Sequence, residues 1–388
     1  MAKIRKRVWT NKNGEQEAWI IDYKDQHNKR HIETFKTRKQ ADARRKQIEG
    51  EVDLGVHTPA YASRTVAEAG EAWIKQAQVV DGLERSTIRQ YRQHLDLHIN
   101  PFIGAKKLAQ LTVPSVKKFR ADLIEAGRSP AMAKRVITSL GAILGEALSS
   151  GEGVSRNVVR EEVIANAAHT KRRRAVEQRK KRAIKEGVDF PTKDELRRML
   201  AVEHRCHALV VTAIFSGLRA SELRGLTWDC VELDRGIIRV EKRADRWNEM
   251  GAPKSKSARR EVKIPPYAVN TLKAWRGQCP EGKLDLVFPN RRGGIADHQS
   301  LHRHGLGPLL VAAAIGTDPR QPKYGLHSLR HAAASLWIEQ GFTPKKVQEL
   351  MGHSTIAMTL DTYTHLWASP DDDEKAMRQM EERLRLVG

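Results

Sequence analysis

Cysteine is scarce in this 388-residue chain: Cys206, Cys230 and Cys279 are odd in number and far apart. That excludes a disulfide scaffold or a cysteine-rich zinc site and suits a reducing cytoplasm. No apolar run of about 18 residues occurs, so no membrane span is expected. The N-terminal stretch Met1-Ala2-Lys3-Ile4-Arg5-Lys6-Arg7 is basic and lacks the apolar core of a signal peptide. No Gly-x4-Gly-Lys-Ser/Thr pattern is present, which argues against an ATP-dependent reaction, and no internal repeat is visible. Acidic residues are also in deficit. Against 69 Lys plus Arg there are 47 Asp plus Glu, leaving a net charge of +22 and a pI near 10.0. Such an excess binds and steers a polyanionic partner, and nucleic acid is the natural one.

What is present reads as a multidomain chain, mainly α with small β-sheets (α+β). Residues 1–50 hold 14 Lys/Arg against 7 Asp/Glu, a net +7. Ala18–Tyr23 and Arg30–Phe35 read as strands around a polar turn, with Arg5–Trp9 as a third and a helix from Thr37 to Glu49. A basic sheet plus helix over residues 1–62 suits DNA reading through a β-face. Residues 63–168 read as a helical bundle. Thr65, Ser86 and Ser129 are expected N-caps, with Pro130 in the first turn after Ser129. Val136, Leu140, Ile143, Leu144 and Ala147 recur at helical spacing and should face a core. Asn100-Pro101 and Gly127-Arg128-Ser129-Pro130 are expected to break the helices. Residues 169–187 carry nine Lys/Arg and two Glu. Arg172, Arg173, Arg174, Lys180, Lys181 and Arg182 there suit a linker lying on phosphates. A mixed α/β domain over 188–370 should contain a hairpin of Ile237–Glu241 and Arg260–Ile264, with Gly251–Lys254 in the turn. A tail helix over 371–388 closes the chain.

Three segments in this last domain carry chemistry: Ser216-Gly217-Leu218-Arg219-Ala220-Ser221-Glu222-Leu223, His327-Ser328-Leu329-Arg330-His331, and the run from Leu350-Met351-Gly352-His353 to Tyr363. A planar guanidinium grips two phosphate oxygens at once. Arg219 follows the apolar run Leu209–Phe215 and a Ser-Gly turn, so a buried helix would present it at a fixed point. His327 and Arg330 share a helical face. Two preset guanidiniums can stabilise a pentacovalent phosphoryl transition state without a metal. Tyr363 can supply the nucleophile once something assists its deprotonation, because only about 0.1% of a free tyrosine is ionised at neutral pH. His327 is the expected proton acceptor or relay, His353 a hydrogen-bond donor to a non-bridging oxygen, and Glu222 an orienting group. Metal ligation by His327 and His331 is disfavoured, since Ser328 stands where the zincin motif needs Glu and no third ligand is evident. No metal and no cofactor are expected.

The ordered set Arg, Lys, His-x-x-Arg, Leu-Met-Gly-His, Tyr resembles the signature boxes of the tyrosine recombinase (phage integrase) family over roughly residues 190–366. Departures are small: Met351 and Ala332 replace residues more frequent in the family, and the ten-residue interval from His353 to Tyr363 is long. The resemblance implies a catalytic set of Arg219, Lys254, His327, Arg330, His353 and Tyr363. Lys254 resembles the hairpin lysine that protonates the leaving 5′ oxygen, with Lys256 and Lys242 as competitors. It also implies that residues 63–168 are a core-binding domain, and that Tyr363 forms a 3′-phosphotyrosyl link which a 5′-hydroxyl of the partner strand reverses. The expected partners are double-stranded core sites, arm sites for the N-terminal sheet, three further copies in a tetramer on a Holliday junction, and DNA-bending and directionality factors. The expectation is thus an integrase of a phage or mobile element. A Xer-like resolvase, a type IB topoisomerase and a non-catalytic DNA-binding protein are its rivals.

Overall fold

The computed structural model describes residues 2–11, 14–26, 28–53, 59, 63–151, 154, 156–165, 183–253, 255–367 and 377–382. The chain forms two compact units, 1–180 and 181–388.

The first unit opens with an antiparallel sheet in the order β1 (Lys3–Asn11), β2 (Gly14–Lys24), β3 (Arg30–Phe35). Alternation divides its faces. Ile21 and Tyr23 of β2 pack with Ala41 and Ile48 of α1 (Arg38–Asp53), and Ile4 joins them. On β1, Lys3, Arg5, Arg7 and Trp9 alternate with Ile4 and are exposed. The Arg7 guanidinium lies 5.9 Å from the centre of the Trp9 ring. The three expected strands and the helix are present, each at least as long as its sequence pattern indicates.

The helical part begins with α2 (Val66–Val79), whose start is set by a reciprocal capping box between Thr65 and Glu68. Ser129 caps α6 (Pro130–Ser149) through the Met132 N–H, and Val136, Leu140, Ile143, Leu144 and Ala147 are buried. Two expectations are corrected. Helix α3 (Arg85–His94) starts after Glu84, so Ser86 lies inside the first turn and is not the cap. Nor does Asn100-Pro101 break the chain. A wide turn over Leu95–Ile99 leads directly into α4 (Asn100–Ile103), with the Asn100 N–H reaching back to the Leu95 carbonyl. That i→i−5 shift places Pro101 at a new helical start, where its missing N–H leaves no bond unmade. Helices α5 (Val113–Glu125) and α7 (Val158–Ala165) complete the bundle.

In the second unit, a reciprocal capping box between Thr192 and Glu195 starts α8 (Lys193–Ala201). Helix α9 (His207–Ser216) is apolar all round and buried, with Ala208–Ile214 inside the main core. It ends at Gly217, and α10 (Ala220–Arg224) follows at once. The strands β4 (Val231–Glu232), β5 (Ile237–Val240) and β8 (Arg260–Lys263) form one sheet, in which Ile238 pairs with Val262. Between β5 and β8 the chain makes a separate two-stranded hairpin, β6 (Arg243–Ala244) and β7 (Met250–Gly251). Gly251 therefore ends a strand and does not lie in a simple turn. Helices α11 (Pro266–Arg276), α12 (His298–Leu301) and α13 (Gly307–Ala312) lead to α14 (Leu326–Glu339), α15 (Pro344–Met351) and α16 (Ile356–Trp367). Of the expected tail helix, residues 377–382 are helical. The linker residues Arg172, Arg173, Arg174, Lys180, Lys181 and Arg182 lie outside the described residues. No helix among the described residues is long and apolar enough to cross a membrane.

Candidate active site

The site grows from two left-handed glycines. Gly217 ends α9 at φ +60°, and a Cβ there would stand 2.7 Å from Trp337. Gly352 ends α15 at the same φ, where a Cβ would meet the Arg260 guanidinium at 2.9 Å. Only glycine takes that backbone region without strain while leaving room for those neighbours. The two chain reversals bring Arg219, Arg330 and His353 to one place.

Arg219 is the first residue before α10, and Glu222 answers it from one turn later. The Arg219 backbone N–H donates to Glu222 Oε2 and its Nη1 to Oε1, both at 2.8 Å. Its Nη2 donates to the Gly352 carbonyl at 2.8 Å. The same carboxylate accepts from Arg260 Nη2 at 2.9 Å and Nη1 at 3.2 Å. Burial alone would raise the Glu222 pKa, but the hydrogen bond and charge of Arg260, aided by Arg219, carry it down to about 2. Glu222 is thus a fixed anion between two guanidiniums.

Arg330, on α14, is 1% exposed. Its Nη1 donates to the Gly217 carbonyl at 2.6 Å, and its Nη2 donates to the Met351 carbonyl. Burial, then repulsion from Arg219 and Arg260, lowers its pKa to about 9, so it is still charged at neutral pH. A guanidinium carries five N–H donors. Protein oxygens hold two side-chain N–H donors of Arg219 and two of Arg330, so donors are left for an anion.

Tyr363 lies on α16 with 0% exposure, packed among Ala334, Ile338, Val347 and Met351. Its hydroxyl bonds to His331 Nδ1 at 2.7 Å. Burial pushes the tyrosine pKa well up, with only partial opposition from Arg330. Burial, then His327 and Arg330, lowers His331 to about 4. At neutral pH the pair is therefore a phenol donating to a neutral imidazole. His327 is one ring removed: its ring meets that of His331 edge to face, centroids 4.5 Å apart. It keeps a solvent-exposed side, yet crowding and the charges of Arg330 and Arg219 lower its pKa. His353 Nδ1 bonds to the Thr359 hydroxyl at 2.9 Å. Burial, then Arg330, Arg219 and Arg260, lowers its pKa to about 4. A neutral His353 with Nδ1 occupied can donate through Nε2.

Lys254 lies outside the described residues, and so does the side chain of Lys256. Lys242 is committed elsewhere, donating to Asp229 at 2.9 Å and to the Thr227 hydroxyl at 3.2 Å. Two other tyrosines of this domain are engaged away from the cluster. Tyr324 donates to Glu195 at 2.7 Å, and Tyr267 donates to the Leu200 carbonyl at 3.1 Å.

Two members of this cluster escape a reading of the sequence. Arg260 stands in a basic run at a strand start, where nothing distinguishes it from a solvated charge, yet its side chain is 6% exposed. His331 presents itself in the sequence only as a possible metal ligand, because its position opposite Tyr363 depends on how α14 packs on α16. The hydroxyl's partner is His331 and not His327.

Guanidiniums caged by backbone carbonyls, with a tyrosine and neutral histidines beside them, make a centre that can bind an anion such as a phosphoryl group next to a nucleophile. The chain belongs to the phage integrase, or tyrosine-type site-specific recombinase, family, whose members cleave and rejoin DNA. The Phage integrase family profile matches residues 190–369, and that of the Phage integrase, N-terminal SAM-like domain matches residues 65–124. Among curated relatives, a "Tyrosine recombinase XerC-like" protein of Caldanaerobacter subterraneus subsp. tengcongensis is 23% identical over 358 residues, covering 85% of this chain and 86% of that one. The fold is similar to that of the Tn1549 transposon integrase in complex with a circular intermediate DNA (TM-score 0.63, 18% identity, 82% of this chain and 100% of that one). It is also similar to that of lambda integrase, solved as a tetramer bound to a Holliday junction (TM-score 0.54, 18% identity, 93% of this chain and 94% of that one).

Proposed function

We propose that this chain is the integrase of a phage or other mobile element, and that Tyr363 is its nucleophile. Tyr363 attacks the scissile phosphate and forms a 3′-phosphotyrosyl bond as the 5′ oxygen leaves. Arg219 and Arg330 bind the non-bridging oxygens, and His353 donates to one of them. Lys254 protonates the leaving 5′ oxygen. The Tyr363 proton passes to the histidine pair, through His331, with which the hydroxyl already shares a hydrogen bond. A 5′-hydroxyl of the partner strand then reverses the step, with the bond energy conserved in the protein–DNA link.

The observation that carries this reading is the caging of two guanidiniums by the Gly217, Met351 and Gly352 carbonyls within a cluster that also holds Tyr363 and three histidines. The tetramer seen for lambda integrase supports assembly of four copies on two DNA sites. The exposed basic side chains Lys3, Arg5 and Arg7 of the N-terminal sheet support a second DNA contact at arm sites, apart from the core sites held by the helical and catalytic domains. DNA-bending and directionality factors are the further partners of such an assembly.

The XerC-like relative favours a second reading, a Xer-like resolvase. One experiment separates the two. Candidate sites are taken from the DNA flanking the gene and placed on two plasmids, or as a direct repeat on one. An integrase joins the two plasmids, a resolvase acts only within one, and a topoisomerase relaxes plasmids without exchanging sites. Failure to join the pair under conditions that trap a covalent adduct contradicts the integrase reading.

A further inference from the structure

Three successive carbonyls at the end of α15 are each held by a different arginine. Leu350 accepts from Arg260 Nε at 2.6 Å, Met351 from Arg330 Nη2, and Gly352 from Arg219 Nη2 at 2.8 Å. The last carbonyls of a helix lack intrahelical partners and form its negative pole, so three cations gathered there satisfy both needs. Arg219 and Arg330 have a further task at the phosphate, whereas Arg260 is committed to the protein. It also spans both Glu222 oxygens and donates to the Ala258 carbonyl at 2.9 Å. Glu222 in turn holds Arg219 by its backbone and its side chain. Arg260 is therefore joined to Arg219 by two routes, through the carboxylate and through the turn Leu350–Gly352. It is joined to Arg330 through that same turn. The turn itself is shaped to admit it, since any side chain at Gly352 would meet Arg260 Nη1.

We propose that Arg260 is a positioning residue for strand cleavage. It sets the spacing of Arg219 and Arg330, and the placement of His353 directly after the turn, without touching DNA. The inference rests on the reading of Arg219 and Arg330 as the phosphate grip. Guanidiniums act on the transition state only while aimed at the oxygens that gain charge, so a small misplacement loses rate and leaves binding alone.

The test uses full-length protein and nicked site DNA carrying either a normal scissile phosphate or a methylphosphonate there. A methylphosphonate lacks one charged non-bridging oxygen and has less need of paired guanidiniums. Arg260→Met is expected to slow covalent adduct formation by about 100-fold on phosphate DNA, with DNA affinity changed by less than about 3-fold. On methylphosphonate DNA the deficit should shrink at least about tenfold, as should that of Arg219→Met. Should Arg260→Met not fold, Arg260→Lys is measured on the same two substrates; it keeps a charge near Glu222 but cannot span that carboxylate and the Leu350 carbonyl together. Equal deficits on both substrates, or no deficit for any soluble Arg260 variant, overturn the proposal. If Arg219→Met itself shows no relief on methylphosphonate DNA, the phosphate-grip reading fails, and this inference with it.

Discussion

Replacing Glu222 by Gln removes one negative charge from a cluster of three guanidiniums, and the structure fixes the sign and scale of the result. The carboxyl is 2% exposed, and its pKa falls from 4.5 to about 2. A shift of that size corresponds to about 3 kcal/mol of folding stability at 1.36 kcal/mol per unit. The folded value lies below the unfolded one. The stabilisation is therefore complete above pH 4.5 and is lost as pH falls toward 2. Glu222→Gln removes it at every pH. Urea unfolding of both proteins, followed by the fluorescence of Trp228, Trp275 and Trp337 in or against the main core of the second unit, reads the difference. The expected gap is about 3 kcal/mol at pH 7, unchanged down to about pH 5, and narrowing steadily below that as the wild type loses its advantage. Other carboxylates titrate in both proteins and cancel in the comparison. A gap under about 1 kcal/mol at pH 7, or one as wide at pH 3 as at pH 6, would refute the argument that Glu222 is a buried anion bridging two arginines.

Arg330→Lys keeps a charge but cannot span the Gly217 and Met351 carbonyls, so single-turnover cleavage should fall by at least about 100-fold with site binding nearly intact. Near-normal cleavage would make this arginine structural. Lys254→Ala should cleave poorly on ordinary DNA and recover on DNA with a 5′-bridging sulfur, because a thiolate leaves without protonation. Rescue of Lys256→Ala in its place would move the general acid two residues along. Deleting residues 1–62 should spare cleavage of isolated core-site DNA and abolish integration. It should also flatten the salt dependence of binding by about 0.9 in the log–log slope for each phosphate the sheet neutralises. Unchanged slope and integration would reduce the N-terminal sheet to an accessory.

Much of this arrangement is legible in local sequence signals. The capping residues Thr65, Ser129 and Thr192, the apolar run of α9 and the glycine after it are decided within a turn or two of chain, so they can be read directly. The pairing of Glu222 with Arg219 follows from a three-residue helical spacing. The rest depends on contacts between distant segments. Arg260 becomes buried only because β8 lies beside the end of α15, and nothing in its run of basic neighbours signals that. His331 reaches Tyr363 only through the packing of α14 against α16. Pro101 reads as a helix breaker because the compensating wide turn at Leu95–Ile99 has no local signature. Residue type favours Ser86 over Glu84 as a cap, while the helix in fact starts one residue before Ser86.

Tyr363 is expected to join the protein covalently to DNA. Wild-type protein incubated with nicked site DNA, from which the fragment beyond the cut can diffuse away, should accumulate a covalent adduct. Proteolysis and mass spectrometry should place the nucleotide remnant on the peptide containing Tyr363, and Tyr363→Phe should bind the same DNA and yield no adduct. An adduct that persists in Tyr363→Phe, or one that maps to Tyr324 or Tyr267, would contradict the account.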